Sequence, residues 1–497
     1  MTSRFIATFS AIFFCFGNVF PQQLISSLKG PQYFNKDNLV ISYYDSISHK
    51  IYISYQNGFD ITRQLYDTSF NLLGEYSLTA GAITLSEKEK FIGSAFVSPL
   101  CTKKGVFEVY ADKNEISIYK PDFNNKKDSL IEVINFSKNR KEDRILSFMP
   151  GEKDLKILLY NSKENLLNIF QWSPGQASTT ISFSLPRSTL TNEEEKNYSN
   201  RCRIDFKKIE GLKADKLNKV NPFPVYDHIL FTDTKIYLQL VLPFSAGIHV
   251  MELDLAEKNL RYKNYFINSV EINTGTIKNV KKSPVSTIFD SILVIQNSSH
   301  YRFEFYFYNL RTNELIKSYS VPVKDSIYTL VHSPLFQKGT YGSPDQEKEL
   351  ENETAFMRKI NGSFSYMSTA SYSKDSIVFT LASLQNTEGI EGTLLSFSTM
   401  PLGYMANIRF GNFQFIPYLT STRNKLLYAH AKFDMQTFNA SISRSVKTIL
   451  DDILTYFNRR EIGSNSTFLI QTSSSILISA FNKSTKLFDV YKFVNSN

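Results

Sequence analysis

Tyr66-Asp67-Thr68-Ser69-Phe70-Asn71-Leu72 holds a strand end, a polar turn and a strand start within one short stretch. Tyr and Leu suit the pleated, half-buried surface of a sheet, and an Asp between them can bond its own backbone two residues on. One such unit is an ordinary hairpin. It returns as Tyr110-Ala111-Asp112-Lys113-Asn114-Glu115-Ile116 and as Tyr160-Asn161-Ser162-Lys163-Glu164-Asn165-Leu166. Later copies are Leu253-Asp254-Leu255-Ala256-Glu257-Lys258-Asn259-Leu260, Tyr308-Asn309-Leu310-Arg311-Thr312-Asn313-Glu314-Leu315 and Phe481-Asn482-Lys483-Ser484-Thr485-Lys486-Leu487. Together they read as a repeat.

Tyr66 and Tyr110 are 44 positions apart, and Tyr110 and Tyr160 are 50 apart. Those intervals match the roughly 40 to 50 residues of a four-stranded propeller blade. The longer interval after Tyr160 contains a charged segment, about 187–220, with little periodic apolar pattern, which reads as an insertion. The interval after Tyr308 contains two more, about 337–361 and 440–464. The first of these, with Gly339, Gly342 and Pro344, reads as a long loop or short helix. Composition agrees with β structure: 41 Phe and 28 Tyr stand beside one Trp, Trp172. The expected fold is therefore all-β, a single β-propeller-like domain over 22–497, with seven or eight irregular four-stranded blades and an inserted helix. Length alone, 497 residues, suggests two or three domains, but repeats extend one body without a new core each time. The rival is two or more β-sandwich domains. A propeller needs no linker, and no Pro-rich or Gly/Ser-rich linker occurs. Ring closure predicts that Leu39–Tyr44 pairs in the blade containing Phe488–Phe493.

Ser445–Arg459 is the clearest helix, with Val446, Ile449, Leu450, Ile453, Leu454 and Phe457 on one stripe, Ser445 as N-cap and Gly463 beyond the last turn. Packing on its own domain is the expected use of that stripe, and a partner-binding helix is the alternative. Tyr301–Leu310 is apolar on both faces. Tyr301, Phe303, Phe305 and Phe307 alternate with Arg302, Glu304, Tyr306 and Tyr308, as in a strand buried between neighbouring blades.

Residues 1–21 read as a secretory signal peptide: Arg4 supplies a positive n-region, Phe5–Phe20 is apolar, and Gln22-Gln23 follows. The apolar run is short for a membrane span, which needs about 20 residues. No later stretch is long and apolar enough for a transmembrane helix. A Phe-rich run leading into Phe20-Pro21-Gln22-Gln23 resembles the leaders of exported proteins of the Bacteroidota. The location this implies is periplasmic, cell-surface or extracellular. Beyond the leader two cysteines remain, Cys101 and Cys202. An even count permits one disulfide in an oxidising compartment, and two buried thiols fit equally well.

The formal charge is +9, but Lys and Arg are spread along the chain with Asp and Glu between them. That pattern is a solvated surface and not a nucleic-acid face. G-x-S-x-G, the phosphate-binding loops, H-E-x-x-H and C-x-x-C are all absent, so no cofactor or metal is expected. The histidines, at 49, 228, 249, 300, 332 and 430, stand singly. A glycosidase carboxylate pair is recognised by separation in space, so no catalytic residue is assigned. N-x-[ST] sequons fall at Asn135, Asn197, Asn297, Asn352, Asn361, Asn439, Asn465 and Asn482. Asp-Ser-Ile or Asp-Ser-Leu triplets start at Asp45, Asp128, Asp290, Asp325 and Asp375. These resemble the O-glycosylation triplet of exported Bacteroidota proteins, and strand-opening turns explain them equally well. Two functions follow: an exported, non-enzymatic binding or scaffold protein with a protein or glycan partner, or a carbohydrate-active enzyme (glycosidase or lyase) of propeller fold. Two or three carboxylates converging near a central channel would mark the enzyme.

Overall fold

In the computed structural model the repeated turn has one recurring construction. Asp122 Oδ1 accepts the N–H groups of Asn124 and Asn125, and Asn161 Oδ1 those of Lys163 and Glu164. Asp254 does the same for Ala256 and Glu257, Asn309 for Arg311 and Thr312, Asp434 for Gln436 and Thr437, and Asn482 for Ser484 and Thr485. The next residue is left-handed in every case: Lys126, Asn165, Lys258, Asn313, Phe438 and Lys486 have φ between 50° and 61°. Asp67 makes a shorter version, holding Ser69 and Asn71 with Phe70 at φ 60°. The side-chain oxygen satisfies amides that the strand ladder cannot reach, and the left-handed residue reverses the chain.

The structure describes residues 22–29, 39–57, 60–78, 95–111, 115–135, 143–151, 153–161, 163–185, 210–213, 228–241, 247–266, 284–289, 291–298, 302–322, 327–340, 343–350, 353–361, 364–372, 375–386, 424–442, 446, 448, 449, 451–453, 467–471, 475–482 and 484–494. After β1 (Gln22–Lys29) comes blade 1, made of β2 (Leu39–Asp45), β3 (Lys50–Asn57), β4 (Asp60–Tyr66) and β5 (Leu72–Leu78). Blade 2 holds β6 (Ala95–Thr102), β7 (Gly105–Ala111), β8 (Glu115–Asp122) and β9 (Lys127–Asn135). Blade 3 holds β10 (Asp143–Pro150), β11 (Leu155–Asn161), β12 (Leu166–Trp172) and β13 (Thr179–Ser184). Blade 4 has β14 (Glu210–Lys213), β15 (His228–Phe231), β16 (Lys235–Val241), β17 (Gly247–Asp254) and β18 (Asn259–Phe266). Blade 5 has β19 (Val285–Phe289), β20 (Ile292–Ser298), β21 (Arg302–Asn309) and β22 (Leu315–Pro322). Blade 6 has β23 (Phe336–Thr340), β24 (Ser343–Glu349), helix α1 (Glu353–Asn361), β25 (Phe364–Tyr372), β26 (Ser376–Asn386) and β27 (Asn424–Asp434). Blade 7 ends the chain with β28 (Thr467–Gln471), β29 (Ser475–Asn482) and β30 (Leu487–Val494).

The fold is thus all-β and of β-propeller type, with seven small sheets. Five sheets have four strands and two, blades 4 and 6, have five. Blade 4 gains β14, which pairs parallel to β15. Blade 6 runs β24-β23-β27-β26-β25, so the segment read as a polar loop or short helix, 337–361, supplies the β23–β24 hairpin and α1. Blade 7 runs β1-β30-β29-β28, joining both ends of the chain in one sheet. The pairing strand is Gln22–Lys29, with Gln22 opposite Phe493 and Lys29 opposite Leu487. The expected partner, Leu39–Tyr44, instead opens blade 1 as β2. Its apolar run is the stronger strand signal, but it is used for the next sheet.

Two compact units make up the chain, Met1–Ser77 with Thr448–Asn497, and Leu78–Lys447. In the first, Ile51, Ile53 and Tyr55 of blade 1 pack against Ile470, Phe488 and Val490 of blade 7. In the second, apolar faces stack pairwise. Phe107 and Val109 meet Ile157 and Trp172 between blades 2 and 3, and Leu158 and Leu167 meet Leu238 and Met251 between blades 3 and 4. Ile248 and Val250 meet Leu293 and Ile295 between blades 4 and 5. Phe303, Phe305 and Phe307 meet Phe379 and Phe433 between blades 5 and 6, where Phe356, Met357 and Ile360 of α1 join them. Tyr306 faces blade 4 while its neighbours Phe305 and Phe307 face blade 6, which is why β21 is apolar on both sides.

Of the proposed helix Ser445–Arg459, the described residues are helical at Ile449 and 451–453, with Ile449 and Ile453 buried. The expected N-cap Ser445 lies outside the described residues; Thr448 stands just before the helical residues, and its N–H donates to Asp451 Oδ2 at 2.6 Å. That is the carboxylate half of a capping box. The leader 1–21, Cys202 and the insertion 187–220 other than β14 lie outside the described residues.

Candidate functional site

A carboxylate inside a protein needs partners, and its partners reveal its use. Five buried carboxylates occur among the described residues, each in a different blade: Asp45, Glu108, Asp154, Glu304 and Asp489. Asp45 Oδ1 accepts the Ile47 N–H at 3.0 Å, and Oδ2 accepts the Ser48 hydroxyl. Glu108 accepts the Tyr110 hydroxyl at 2.8 Å. Asp154 pairs with buried Lys156 at 2.9 Å and takes the Gln171 amide. Glu304 takes the Asn297 amide at 2.8 Å and the Ser320 hydroxyl at 3.0 Å. Asp489 takes the Ser27 hydroxyl at 2.8 Å and the Asn482 amide at 3.1 Å, tying β1 to β30 by side chains as well as backbone. Every one of these bonds stays within its own blade. Among the described residues no three His, Cys, Asp or Glu side chains form a metal-binding group.

The histidines are also placed by the fold. His49 is exposed and its Nδ1 meets the Tyr44 hydroxyl at 2.7 Å. His249 is buried against Asn264 and Tyr262, and burial holds its pKa below the usual imidazole value. His332 and His430 are both fully buried in blade 6. His228 begins β15, and His300 lies outside the described residues. Cys101 sits half-buried in β6, and Cys202 lies outside the described residues. Of the sequons, Asn297 and Asn482 have their amides engaged, with Glu304 and Asp489, whereas Asn439 is exposed beyond the Asp434 turn. Asp45-Ser46-Ile47 forms the β2–β3 turn, and Asp128-Ser129-Leu130 lies inside β9.

Several large apolar side chains among the described residues are exposed. In β9, Leu130 is 41% exposed and Ile131 44%. In β22, Leu315 is 49% exposed and Ile316 41%. Both strands lie at the edge of their sheets. Both pairs sit at a β-bulge: Ile118 opposes Glu132 and Tyr119 opposes Leu130, leaving Ile131 extra, while Phe307 opposes Lys317 and Tyr308 opposes Leu315, leaving Ile316 extra. A bulge re-aims the side chains around it. Leu72 and Leu73 at the start of edge strand β5 are exposed as well. Edge strands of monomeric proteins usually carry charge or Pro where these carry Leu and Ile. Sequence reasoning missed these pairs, because an apolar pair after a turn looks like the start of a buried strand. Their signal is adjacency: Leu130-Ile131 and Leu315-Ile316 break the alternation of a half-buried strand.

The sequence matches no protein-family model and no curated protein. Similar solved structures include the Nup133 β-propeller domain of Vanderwaltozyma polyspora, at 12% identity and TM-score 0.28, covering 57% of this chain and 75% of that one. Apo AztD from Citrobacter koseri is 7% identical with TM-score 0.28, over 57% of this chain and 73% of that one. Prolyl oligopeptidase B from Galerina marginata is 9% identical with TM-score 0.32, over 90% of this chain and 47% of that one. The chain spans under half of the last protein's length. At such levels no activity carries over.

Proposed function

We propose that this chain is an exported binding or scaffold protein that holds a protein partner on the outer strands of its blades, β9 and β22 foremost. The observation behind this reading is the pair of exposed apolar bulges, Leu130-Ile131 and Leu315-Ile316. Leaving such side chains in water forgoes roughly 25 cal/mol for each Å² of apolar surface that a partner would cover. Strand edges also offer backbone N–H and C=O groups to a partner strand. Export is inferred from Arg4 and the apolar run Phe5–Phe20.

A photo-crosslinking residue placed at Ile131 or Ile316 in the native host tests the partner, with exposed Glu257 as the control position. A protein adduct at either bulge and none at Glu257 supports the reading. Adducts at neither bulge, or equal adducts at the control, reject it. Intact mass of the native protein tests export, with an N-terminus expected between about residue 18 and residue 24. Recovery of the unprocessed chain from the cytoplasm rejects that part.

A further inference from the structure

His332 lies in the connector that leads from blade 5 into β23, and three bonds fasten it to the rest of blade 6. Its backbone N–H donates to the His430 carbonyl at 2.7 Å, and its carbonyl accepts the Val446 N–H at 2.9 Å. Its ring Nδ1 accepts the Lys432 N–H at 2.8 Å. One residue therefore holds together the strand β27, the connector entering the sheet and the segment leaving it. The next residue completes the attachment, since Ser333 Oγ accepts the His430 N–H at 2.8 Å in place of a ladder carbonyl.

The ring bond carries the consequence. An imidazole nitrogen accepts a hydrogen bond only when it bears no proton, and imidazolium has none to spare because both nitrogens are donors. With Nδ1 facing a backbone N–H, protonation sets two donors against each other inside the core. The other nitrogen, Nε2, is buried without a well-formed hydrogen bond. Among the described residues, the groups recorded against the ring add no compensating negative charge. From β27 they are Lys432, which is cationic, and Phe433, whose ring stands at 84° to the imidazole, while His430 touches His332 through its carbonyl and has its own Nδ1 on Thr380 at 3.0 Å. From the departing segment they are Ser441 and Val446, neither of which titrates. Burial, the largest cause, holds the ring's pKa below the usual imidazole value against the opposing pull of the Ser441 backbone, and Lys432 adds a smaller push downward.

We propose that His332 is a proton-operated staple: taking up a proton on its ring loosens the connector 327–335, with Ser441 and Val446, from β27. Loss of the Lys432 bond frees the entry to β23, whose only described ladder partners are β24 and β27. Blade 6 keeps β25, β26 and β27, because Phe379 and Phe433 remain packed against blade 5.

Hydrogen exchange of the full mature protein tests this, compared at about pH 7.5 and about pH 5, on either side of the free imidazole value near 6.5. After correction for intrinsic rates, amides of 327–340 and 427–442 are expected to lose protection roughly tenfold or more at the lower pH, while those of blades 2 and 3 hold. In His332→Asn, the Asn Oδ1 takes the place of Nδ1 as an acceptor that does not titrate, and the acid response of both segments disappears. His249→Asn, in blade 4, leaves that response intact. Equal protection of the wild-type segments at the two pH values overturns the proposal. So does an unchanged acid response in His332→Asn, or its loss in His249→Asn. Should His332→Asn not fold, the wild-type comparison and His249→Asn still decide.

Discussion

Phe307 of β21 meets Phe433 of β27 edge to face, with ring centroids 5.0 Å apart and planes at 69°. Both rings are fully buried, and Phe433 also contacts Phe305 and Phe379. Blades 5 and 6 are held together by this aromatic cluster more than by any polar contact. Phe307→Ala should therefore destabilise the protein by about 3–5 kcal/mol, the range for emptying an aromatic site in a core. Denaturant unfolding measures it, and a loss below about 1 kcal/mol would show that the cluster is not the joint described.

The repeated turns make an independent prediction. Lys126, Lys258 and Lys486 hold left-handed backbone at φ 53°, 50° and 59°, a conformation that costs a side-chain-bearing residue about 1–2 kcal/mol and glycine little. Lys258→Gly and Lys486→Gly should each leave stability unchanged or raise it by up to about 1 kcal/mol, despite the added freedom of the unfolded chain. Asn309→Ala, which removes the acceptor for the Arg311 and Thr312 amides, should cost about 1 kcal/mol by analogy with lost helix caps. Melting curves on the single variants separate the two signs. A glycine that destabilises as much as the alanine would mean the turn is not strained at that residue.

These turns were also the most legible part of the sequence, because everything that makes them lies within a few residues. An aromatic or Leu followed by Asp or Asn is enough to place Tyr66-Asp67, Tyr160-Asn161, Leu253-Asp254, Tyr308-Asn309 and Phe481-Asn482. The copy at Phe433-Asp434 escapes the same reading. After its turn the chain makes one bridge, Phe433 to Ala440, instead of a strand opening on Leu or Ile. Strands borrowed from upstream are harder to see. β1 reads Gln-Gln-Leu-Ile-Ser-Ser-Leu-Lys and β24 reads Ser-Pro-Asp-Gln-Glu-Lys-Glu, and neither alternates cleanly; each is an edge strand. Pairing over such distances in sequence is decided by what the partner strand lacks, which no local pattern records. The exposed bulges were invisible for the opposite reason, since their apolar residues look like core.

Stability should fall with acid in two stages. His249 and His332 are held below the usual imidazole value, chiefly by burial. The unfolded chain takes up protons near pH 6.5 where the folded chain does not, so stability is full above that value and declines as pH drops beneath it. Asp67, Asp122, Asp254 and Asp434 are held below the ordinary carboxylate value by the turn bonds they accept, from Asn71, Asn125, Glu257 and Thr437 foremost. Their contribution is complete above about pH 4 and is lost as pH falls through their lower folded values. Thermal midpoints measured from pH 8 to pH 3 should therefore decline from about 6.5 and more steeply below about 4. A midpoint that stays level between about pH 7 and pH 5 contradicts the first stage. His249→Asn with His332→Asn should flatten that stage and leave the second in place.

The joining of the two chain ends in blade 7 gives the last prediction. β1 pairs with β30 over its whole length, from Gln22 opposite Phe493 to Lys29 opposite Leu487, and β30 in turn pairs with β29. β30 is thus the only described strand through which β1 reaches the sheet. Phe488 and Val490, fully buried, carry the contact of blade 7 with Ile51, Ile53 and Tyr55 of blade 1. Ending the chain at Lys486 would detach β1 from blade 7 and leave the β29 edge open. It would also uncover the blade 1 face that Phe488 and Val490 occupy. An open edge beside an apolar face favours pairing between molecules. The truncated protein should therefore form large aggregates in size-exclusion chromatography at concentrations where the full chain does not. Phe488→Asp, which keeps every strand but places a charge against Tyr55, should unfold the protein without opening a strand edge by deletion. A truncated chain that runs as a stable, folded monomer would mean that the β1–β30 pairing is peripheral to the fold.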